Sequence, residues 1–188
     1  MGRWEPDARG RLAKAALELY AEHGYEQTTV AEIAKRAGLT ERTFFRHYAD
    51  KREVLFSGAG ELEGLIVRTV ADAPEAAVPL DALSAGLDAA AELFTDRREH
   101  ARRRHAVITA NAELQERELI KLASMAAALA ATLRGRGVPE PTASLAAEAG
   151  VAVFKVAFER WIAPGEERPM QQLIRESLTE LKAVTSGA

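Results

Sequence analysis

The sequence has no cysteine and no long apolar run, and each absence excludes particular kinds of site or segment. Without cysteine there is no disulfide bond, no thiolate metal site and no cysteine nucleophile. No uninterrupted apolar run reaches about 18 residues, the length that a membrane-spanning helix requires. The N-terminal segment MGRWEPDARGR also lacks the apolar core of a signal peptide. We therefore predict a soluble, cytoplasmic protein with no membrane partner.

The signatures of common catalytic sites are missing as well. The sequence has no Gly-rich phosphate loop, no nucleophile elbow and no HExxH zinc motif. His100 and His105 have a spacing that does not place two ligands for one metal on the same helix face. We predict no enzyme, no metal and no cofactor. An enzyme stays the alternative by class, and substrate turnover would reveal it.

Helical periodicity is the dominant pattern that the sequence does contain. Its 188 residues are 47% hydrophobic, which is enough for a packed core, and no segment reads convincingly as a strand. The pattern predicts an all-α protein of about nine helices. Thr29 stands three residues before Glu32, the spacing of a capping box, and so begins the second helix. The other predicted helices cover residues 7–23, 41–48, 51–70, 80–95, 97–110, 112–134, 142–163 and 170–185.

The net charge of −3 conceals an uneven distribution of cations. The first 56 residues carry ten Lys or Arg and nine Asp or Glu, whereas the remainder carries fifteen and nineteen. The N-terminal segment is only mildly basic, so DNA binding must depend on where the cations lie and must weaken with salt. The densest basic run lies between Arg97 and Arg104. This run could bind DNA or an anionic ligand, or it could form a solvated helix face whose cations pair with nearby acidic side chains.

The segment from Thr28 to Lys51 carries the strongest functional pattern. Two short predicted helices flank a tight turn at Gly38, which is typical of a helix-turn-helix whose second helix enters the DNA major groove. Arg42 and Arg46 would face outward, and the guanidinium fork matches guanine O6 and N7. Helical bundles that never bind DNA contain the same geometry, so the pattern alone leaves that alternative open.

At these residues the sequence resembles the tetracycline-repressor (TetR) family of transcriptional regulators. The likeness lies in Tyr20–Tyr25, Thr28–Ala34, Ala37–Thr40 and Thr43–Tyr48, followed by Lys51. The resemblance implies a homodimeric repressor whose paired DNA-binding domains bind a palindromic operator in double-stranded DNA. The segment and the resemblance together give these candidates for DNA contact: Thr28, Thr29, Thr40, Arg42, Thr43, Phe45, Arg46, His47, Tyr48 and Lys51. Phe45 departs from the family, which often has a tyrosine there, so no phenolic hydroxyl is available at that position.

The predicted organisation is a helix-turn-helix DNA-binding domain at residues 1–50 and a helical effector-binding and dimerisation domain at 51–188. Helix 142–163 is rich in Ala, Val and Phe around much of its circumference, so more than one of its faces must be buried. By resemblance, the last two helices form a four-helix bundle with their copies in a second subunit. The alternative is that both helices only close the core of one subunit.

The resemblance also implies an effector cavity enclosed by the helices between residues 51 and 160. Polar residues are scarce on their inner faces, which predicts a small apolar or amphipathic effector that releases the repressor from its operator. The candidates for its lining are Phe94, Ile108, Leu122, Met125, Phe158 and Trp161, with Leu93, Leu129 and Phe154 beside them. Each of these can equally be a plain core residue. If such side chains fill the cavity, the alternative is a DNA-binding protein that has no small-molecule effector and is controlled by a protein partner.

Overall fold

The computed structural model describes residues 7–186, and within them the protein is all-helical with no strand, as predicted. Nine α-helices lie in this part of the chain: α1 (Ala8–His23), α2 (Val30–Arg36), α3 (Glu41–His47), α4 (Ala59–Ala71), α5 (Pro79–Glu92), α6 (Arg98–Thr109), α7 (Ala112–Gly135), α8 (Thr142–Trp161) and α9 (Met170–Ser186). Residues 1–6 and 187–188 lie outside the described residues, and with them part of the MGRWEPDARGR segment and the outer ends of both predicted domains. No helix between residues 7 and 186 is long and apolar enough to cross a membrane.

One predicted helix is wrong, whereas the others agree with the structure to within a few residues. Residues 51–70 do not form a single helix, because a 3-10 helix (Glu53–Phe56) ends before Gly58 and only then does α4 begin. The Asp50 carboxylate accepts the Arg52 backbone amide at 2.8 Å and so starts the 3-10 turn. Glycine at 58 and 60 favours an interruption, since glycine is among the weakest helix formers.

The described residues form two compact units. The headpiece unit is the chain up to Gly58 together with Arg103–Glu118, and the body unit is Ala59–Arg102 together with the chain from Leu119 onward. Helices α6 and α7 therefore contribute residues to both units. The domain boundary between residues 50 and 51 stays a prediction, and the first compact unit reaches eight residues beyond it.

In the headpiece unit, α1 packs against α2 and the 3-10 helix, and α2 packs against α3. The Tyr20 hydroxyl donates a hydrogen bond of 2.7 Å to the Lys51 carbonyl and so ties α1 to the segment after α3. Helix α1 buries an apolar stripe in this unit: Leu12, Ala16, Leu19 and Tyr20. The unit also contains four fully buried large side chains beyond α1: Ile33, Phe44, Ile108 and Leu114.

Helix α5 is central in the body unit, where it packs against α4, α8 and α9. Gly86 lets α4 approach closely, because a Cβ atom there would lie only 2.9 Å from Cγ2 of Ile66. Fully buried aliphatic side chains fill the core, and each contributes roughly 1.5–3 kcal/mol relative to exposure. They are Ile66, Leu83, Leu87, Leu129, Leu133, Leu173 and Ile174.

Two arginines of the basic run bind backbone carbonyls between α8 and α9. Arg98 donates to the carbonyls of Glu166 and Arg168, and Arg102 donates to the Ile162 carbonyl at 2.8 Å. The last carbonyls of a helix lack partners within the helix, and a cation there also interacts favourably with the helix dipole. Arg102 therefore holds the end of α8, and Arg98 holds the connection between α8 and α9, roles that neither sequence-based interpretation of the run included.

Candidate DNA-binding site

Helices α2 and α3 are joined by the tight turn that the sequence predicts. Gly38 has φ of 68°, in the left-handed region that favours glycine. The Leu39 amide donates to the Ala34 carbonyl at 2.8 Å and satisfies one of the free carbonyls at the end of α2. The turn therefore has a defined backbone, and the two helices form a helix-turn-helix.

Both helices begin at a capping threonine. Thr29 Oγ1 accepts the Glu32 amide at 3.2 Å, and the Glu32 carboxylate accepts the Thr29 amide at 2.8 Å, which completes the predicted capping box. The Thr29 backbone amide holds the pKa of Glu32 below its usual value. Thr40 Oγ1 accepts the Thr43 amide at 3.2 Å at the start of α3. Each cap contributes about 1 kcal/mol, which is substantial for helices of seven residues.

The inner side of α3 is attached to the rest of the headpiece unit. Phe44 is fully buried, and its ring centroid lies 5.6 Å from that of Tyr48. The Tyr48 hydroxyl donates a hydrogen bond of 3.0 Å to the Arg9 carbonyl in α1. Side-chain packing and a backbone contact thus hold α3 in one orientation.

The outer side of α3 presents two arginines and a phenylalanine. Arg42, Phe45 and Arg46 are all exposed, and their spacing places them on one face of the helix. Within residues 7–186, neither Arg42 nor Arg46 forms a hydrogen bond or an ion pair. By contrast, Arg36 in α2 donates two hydrogen bonds to the Glu22 carboxylate. The two guanidinium groups of α3 are therefore available to an external acceptor.

Three of the predicted contact residues point their polar atoms inward. Thr28 is 1% exposed, and its hydroxyl donates to the Gly24 carbonyl at 2.8 Å. Tyr48 is buried, and its hydroxyl donates the hydrogen bond to the Arg9 carbonyl in α1. The Lys51 ammonium group donates to three carbonyls of the α1–α2 connection, at 2.9, 3.1 and 3.3 Å. The other seven candidates are exposed or half-buried.

The sequence did not reveal one half-buried charge in the headpiece unit. Arg104, at the end of the basic run, donates to the Leu55 carbonyl at 2.7 Å and to the Glu118 carboxylate at 3.2 Å. Its guanidinium lies 5.0 Å from the centroid of the Phe56 ring. Burial lowers the pKa of Arg104, and the Glu118 carboxylate opposes that effect. The sequence shows the density of positive charge but not the carbonyl that folding brings to it.

Two ion pairs also join the segment after α3 to the start of α7. Arg52 lies 3.0 Å from a Glu113 carboxylate oxygen, and Arg117 lies 2.5 Å from one of Glu53. All four side chains are partly exposed, so each pair alone contributes at most about 1 kcal/mol. No local sequence signal marks these partners, because about sixty residues separate them along the chain.

Five of the six effector candidates belong to the core of the body unit: Phe94, Leu122, Met125, Phe158 and Trp161. The Phe94 ring centroid lies 5.9 Å from that of Phe158 and 5.7 Å from that of Trp161. The structure therefore brings the three aromatic candidates together in one cluster. Ile108 is fully buried in the headpiece unit and is not part of that cluster.

The surface of the body unit also contains an open groove of about 900 Å³. Seven of its eight lining residues are polar or charged, and none is an effector candidate: Arg160, Pro169, Gln171, Gln172, Arg175, Glu176, Thr179 and Glu180. The groove does not match an apolar effector. Within the described residues, no group of three or more His, Cys, Asp or Glu is placed to hold a metal ion.

Known proteins resemble the chain along most of its length. Residues 12–57 match the model described as "Bacterial regulatory proteins, tetR family", and residues 77–186 match the model described as "MftR C-terminal domain". The chain is 38% identical over 76 residues to the HTH-type transcriptional regulator TcmR of Streptomyces glaucescens, a match that covers 40% of this chain. That match spans only 34% of the length of TcmR.

Solved structures show the same fold. FadR from Bacillus subtilis in complex with stearoyl-CoA matches with a TM-score of 0.62 at 21% identity, over 92% of this chain and 96% of that one. SmeT in complex with triclosan matches with a TM-score of 0.67 at 20% identity, over 94% and 90%. Because the C-terminal model alone covers more than half of the chain, the family is established. The chain belongs to the TetR family of bacterial transcriptional regulators, which are DNA-binding helix-turn-helix proteins and not enzymes.

Proposed function

We propose that the protein is a ligand-responsive homodimeric repressor that binds a palindromic operator through α3 and leaves it when a small apolar or amphipathic effector binds. The observation that carries the DNA part is the pair Arg42 and Arg46, exposed on the outer face of a capped and anchored helix. Elsewhere in the headpiece unit, Arg36 and Arg52 are engaged by carboxylates. Two unengaged guanidinium groups on one face suit guanine O6 and N7 in the major groove.

Direct DNA contact is assigned to the seven candidates that are exposed or half-buried: Thr29, Thr40, Arg42, Thr43, Phe45, Arg46 and His47. Thr28, Tyr48 and Lys51 remain in the proposed interface as residues that hold its backbone in place. Their hydroxyl and ammonium groups already donate to backbone carbonyls, so a phosphate would have to compete with those bonds.

The dimer part of the proposal is supported by an apolar stripe that α8 keeps outside the core. Leu145 is 67% exposed and Val156 is 48% exposed, and Ala149 and Ala152 lie between them at helical spacing. Soluble proteins rarely leave such a stripe in water unless a partner covers it. A two-fold symmetric dimer would present two copies of α3, as a palindrome with half-sites one DNA turn apart, about 34–36 Å, requires.

Sedimentation velocity tests the dimer. The double variant Leu145→Glu/Val156→Glu places two carboxylates on the stripe and should convert the dimer to a monomer. Val78→Glu is the matched control, because Val78 is also an exposed apolar residue of the body unit but lies outside α8 and α9. A double variant that sediments as the wild-type dimer would place the interface elsewhere.

The effector part of the proposal is supported by the aromatic cluster and the apolar residues around it. We propose a lining of Phe94, Leu122, Met125, Phe158 and Trp161, all in the body unit, and leave Ile108 out because it lies in the headpiece unit. FadR of Bacillus subtilis and SmeT, which share the fold, were solved with stearoyl-CoA and triclosan. Both ligands carry large apolar parts, which agrees with the apolar core found here.

Selection of bound genomic fragments by the purified protein tests the operator. We expect enrichment of a palindrome whose binding weakens at least about 30-fold in Arg42→Ala or Arg46→Ala, because each good arginine–guanine contact is worth about 1–3 kcal/mol and a symmetric dimer loses two of them. Arg97→Ala is the control, since Arg97 is an exposed arginine of the body unit. Binding that is independent of sequence and disappears at moderate salt would refute the repressor proposal.

A thermal-shift screen of lipophilic compounds tests the effector. A true effector should raise the Tm and weaken operator binding by the same factor by which the operator weakens effector binding. Phe158→Ala should reduce the shift for that compound. Stabilisation by strongly charged metabolites alone would contradict an apolar or amphipathic effector.

A further inference from the structure

Phe45 is the one large apolar side chain that is exposed among the described residues of the headpiece unit, at 56% of its surface. It stands on α3, where the other exposed residues are the charged Glu41, Arg42 and Arg46. The neighbouring Phe44 already fills the core position, so folding does not account for a phenyl group on the outer face. Removing this ring from water on binding is favourable, which indicates an apolar contact in the complex.

The ring of Phe45 is oriented before any partner arrives. It meets the ring of the buried Phe44 edge to face, with centroids 5.4 Å apart and an interplanar angle of 81°. Such a contact restricts the rotamers of an exposed side chain and lowers the entropy lost on binding. Because Phe45 follows Arg42 by three residues and precedes Arg46, the ring lies on the same face as the two guanidinium groups.

We propose that Phe45 recognises the 5-methyl group of a thymine, in the same operator half-site as the guanines bound by Arg42 and Arg46. This inference rests on the proposed function. In the major groove the thymine methyl is the apolar feature, whereas the other groups on the base edges are hydrogen-bond donors or acceptors. A phenyl ring has no hydroxyl with which to bind a phosphate. The half-site therefore combines guanine and thymine, and Phe45 determines specificity through a methyl group.

Replacement of thymine by deoxyuridine tests this directly, because it removes the methyl group and leaves every hydrogen-bonding atom in place. The selected palindrome is synthesised with one symmetric pair of thymines replaced at a time, and each duplex is titrated with the full-length protein. We expect one pair to weaken binding by about 15-fold, or roughly fourfold for each methyl group lost from the interface. The remaining pairs should have little effect.

Phe45→Ala and Phe45→Leu identify the residue responsible. Phe45→Ala should bind the thymine operator more weakly and no longer distinguish it from the deoxyuridine operator at the sensitive pair. Phe45→Leu keeps an apolar side chain and should retain part of the discrimination. Both variants should stay folded with a Tm within a few degrees of the wild type, because the ring is more than half exposed and the variants lose only its edge contact with Phe44.

The inference is overturned if every deoxyuridine operator binds the wild type as tightly as its thymine parent, or if the half-site contains no thymine. It is also overturned if Phe45→Ala keeps the full wild-type ratio of affinities, because another residue then contacts the methyl group. A palindrome that depends on Arg42 but is indifferent to deoxyuridine refutes the role of Phe45 and leaves the proposed function intact. Failure to enrich any sequence removes both.

Discussion

Lys51 gives the sharpest test of how the headpiece unit is built. Its ammonium group donates to the carbonyls of Tyr25, Thr28 and Glu26, and it lies 4.3 Å from the centroid of the Tyr25 ring. All three of its hydrogen atoms are used, so the ammonium group has none left for a phosphate. Lys51→Met keeps a side chain of similar length and removes the three donors together.

The expected loss of stability for Lys51→Met follows from these bonds. A hydrogen bond to a charged group contributes about 1.5–3 kcal/mol, but the bond to Glu26 is long and exposed and the freed carbonyls are partly rehydrated. We therefore expect a decrease of about 2–4 kcal/mol in the free energy of unfolding by urea. For a chain of this size, that corresponds to a fall in Tm on the order of 10 °C.

The dependence of operator affinity on salt distinguishes the two roles of Lys51. A lost phosphate contact lowers the slope of log K against log salt by about 0.9, hence by about 1.8 for a symmetric dimer. We expect Lys51→Met to leave this slope unchanged well below its Tm. Arg46→Met is the matched control and should weaken operator binding at an unchanged Tm. A Lys51→Met protein with the wild-type Tm and a reduced slope would show that the ammonium group binds DNA.

Three further predictions concern stability. Gly86→Ala should lower the free energy of unfolding by about 1 kcal/mol, because the cost of crowding its Cβ against α4 exceeds the gain in helix propensity. Gly60→Ala has open space around its Cβ and should raise the free energy of unfolding slightly. Arg104→Met leaves the half-buried Glu118 unpaired and should lower the free energy of unfolding by urea by about 1–3 kcal/mol. An unchanged urea midpoint would contradict a stabilising role of Arg104. The Arg168 guanidinium holds the pKa of Glu166 at about 2, below its usual 4.5, so this carboxylate stabilises the fold above about pH 5 and progressively less as the pH falls toward 2. Glu166→Gln should therefore flatten the decrease in Tm over that acidic range, and an equally steep decrease would argue against the pair.

The features of the headpiece that sequence predicts well are the ones that depend on near neighbours. A capping box needs residues three positions apart, and Thr29 with Glu32 meets that requirement in the sequence itself. The turn at Gly38 follows from the same short-range logic. For this reason the sequence locates the helix-turn-helix to within one or two residues.

The features that sequence reasoning missed depend on distant parts of the chain. Lys51 and Arg104 look like surface cations in the sequence, yet each donates to backbone carbonyls that are 23 to 49 residues away. Every residue has a carbonyl, so no residue type marks the acceptor. The break at Gly58 is a related case. The apolar periodicity of residues 51–70 is helical throughout, and the 3-10 helix that replaces the first turns becomes evident only in the structure, where the Asp50 carboxylate caps it.

Helix α3 separates the residues that hold it from the residues that face outward. Phe44, Thr40 and Tyr48 fix its position, whereas Arg42 and Arg46 hold nothing within residues 7–186. Substitutions on the outer face can therefore accumulate over evolution without unfolding the protein. A duplicated gene could acquire a new operator one base contact at a time. For the same reason, α3 is a natural cassette for redirecting this regulator to a chosen promoter.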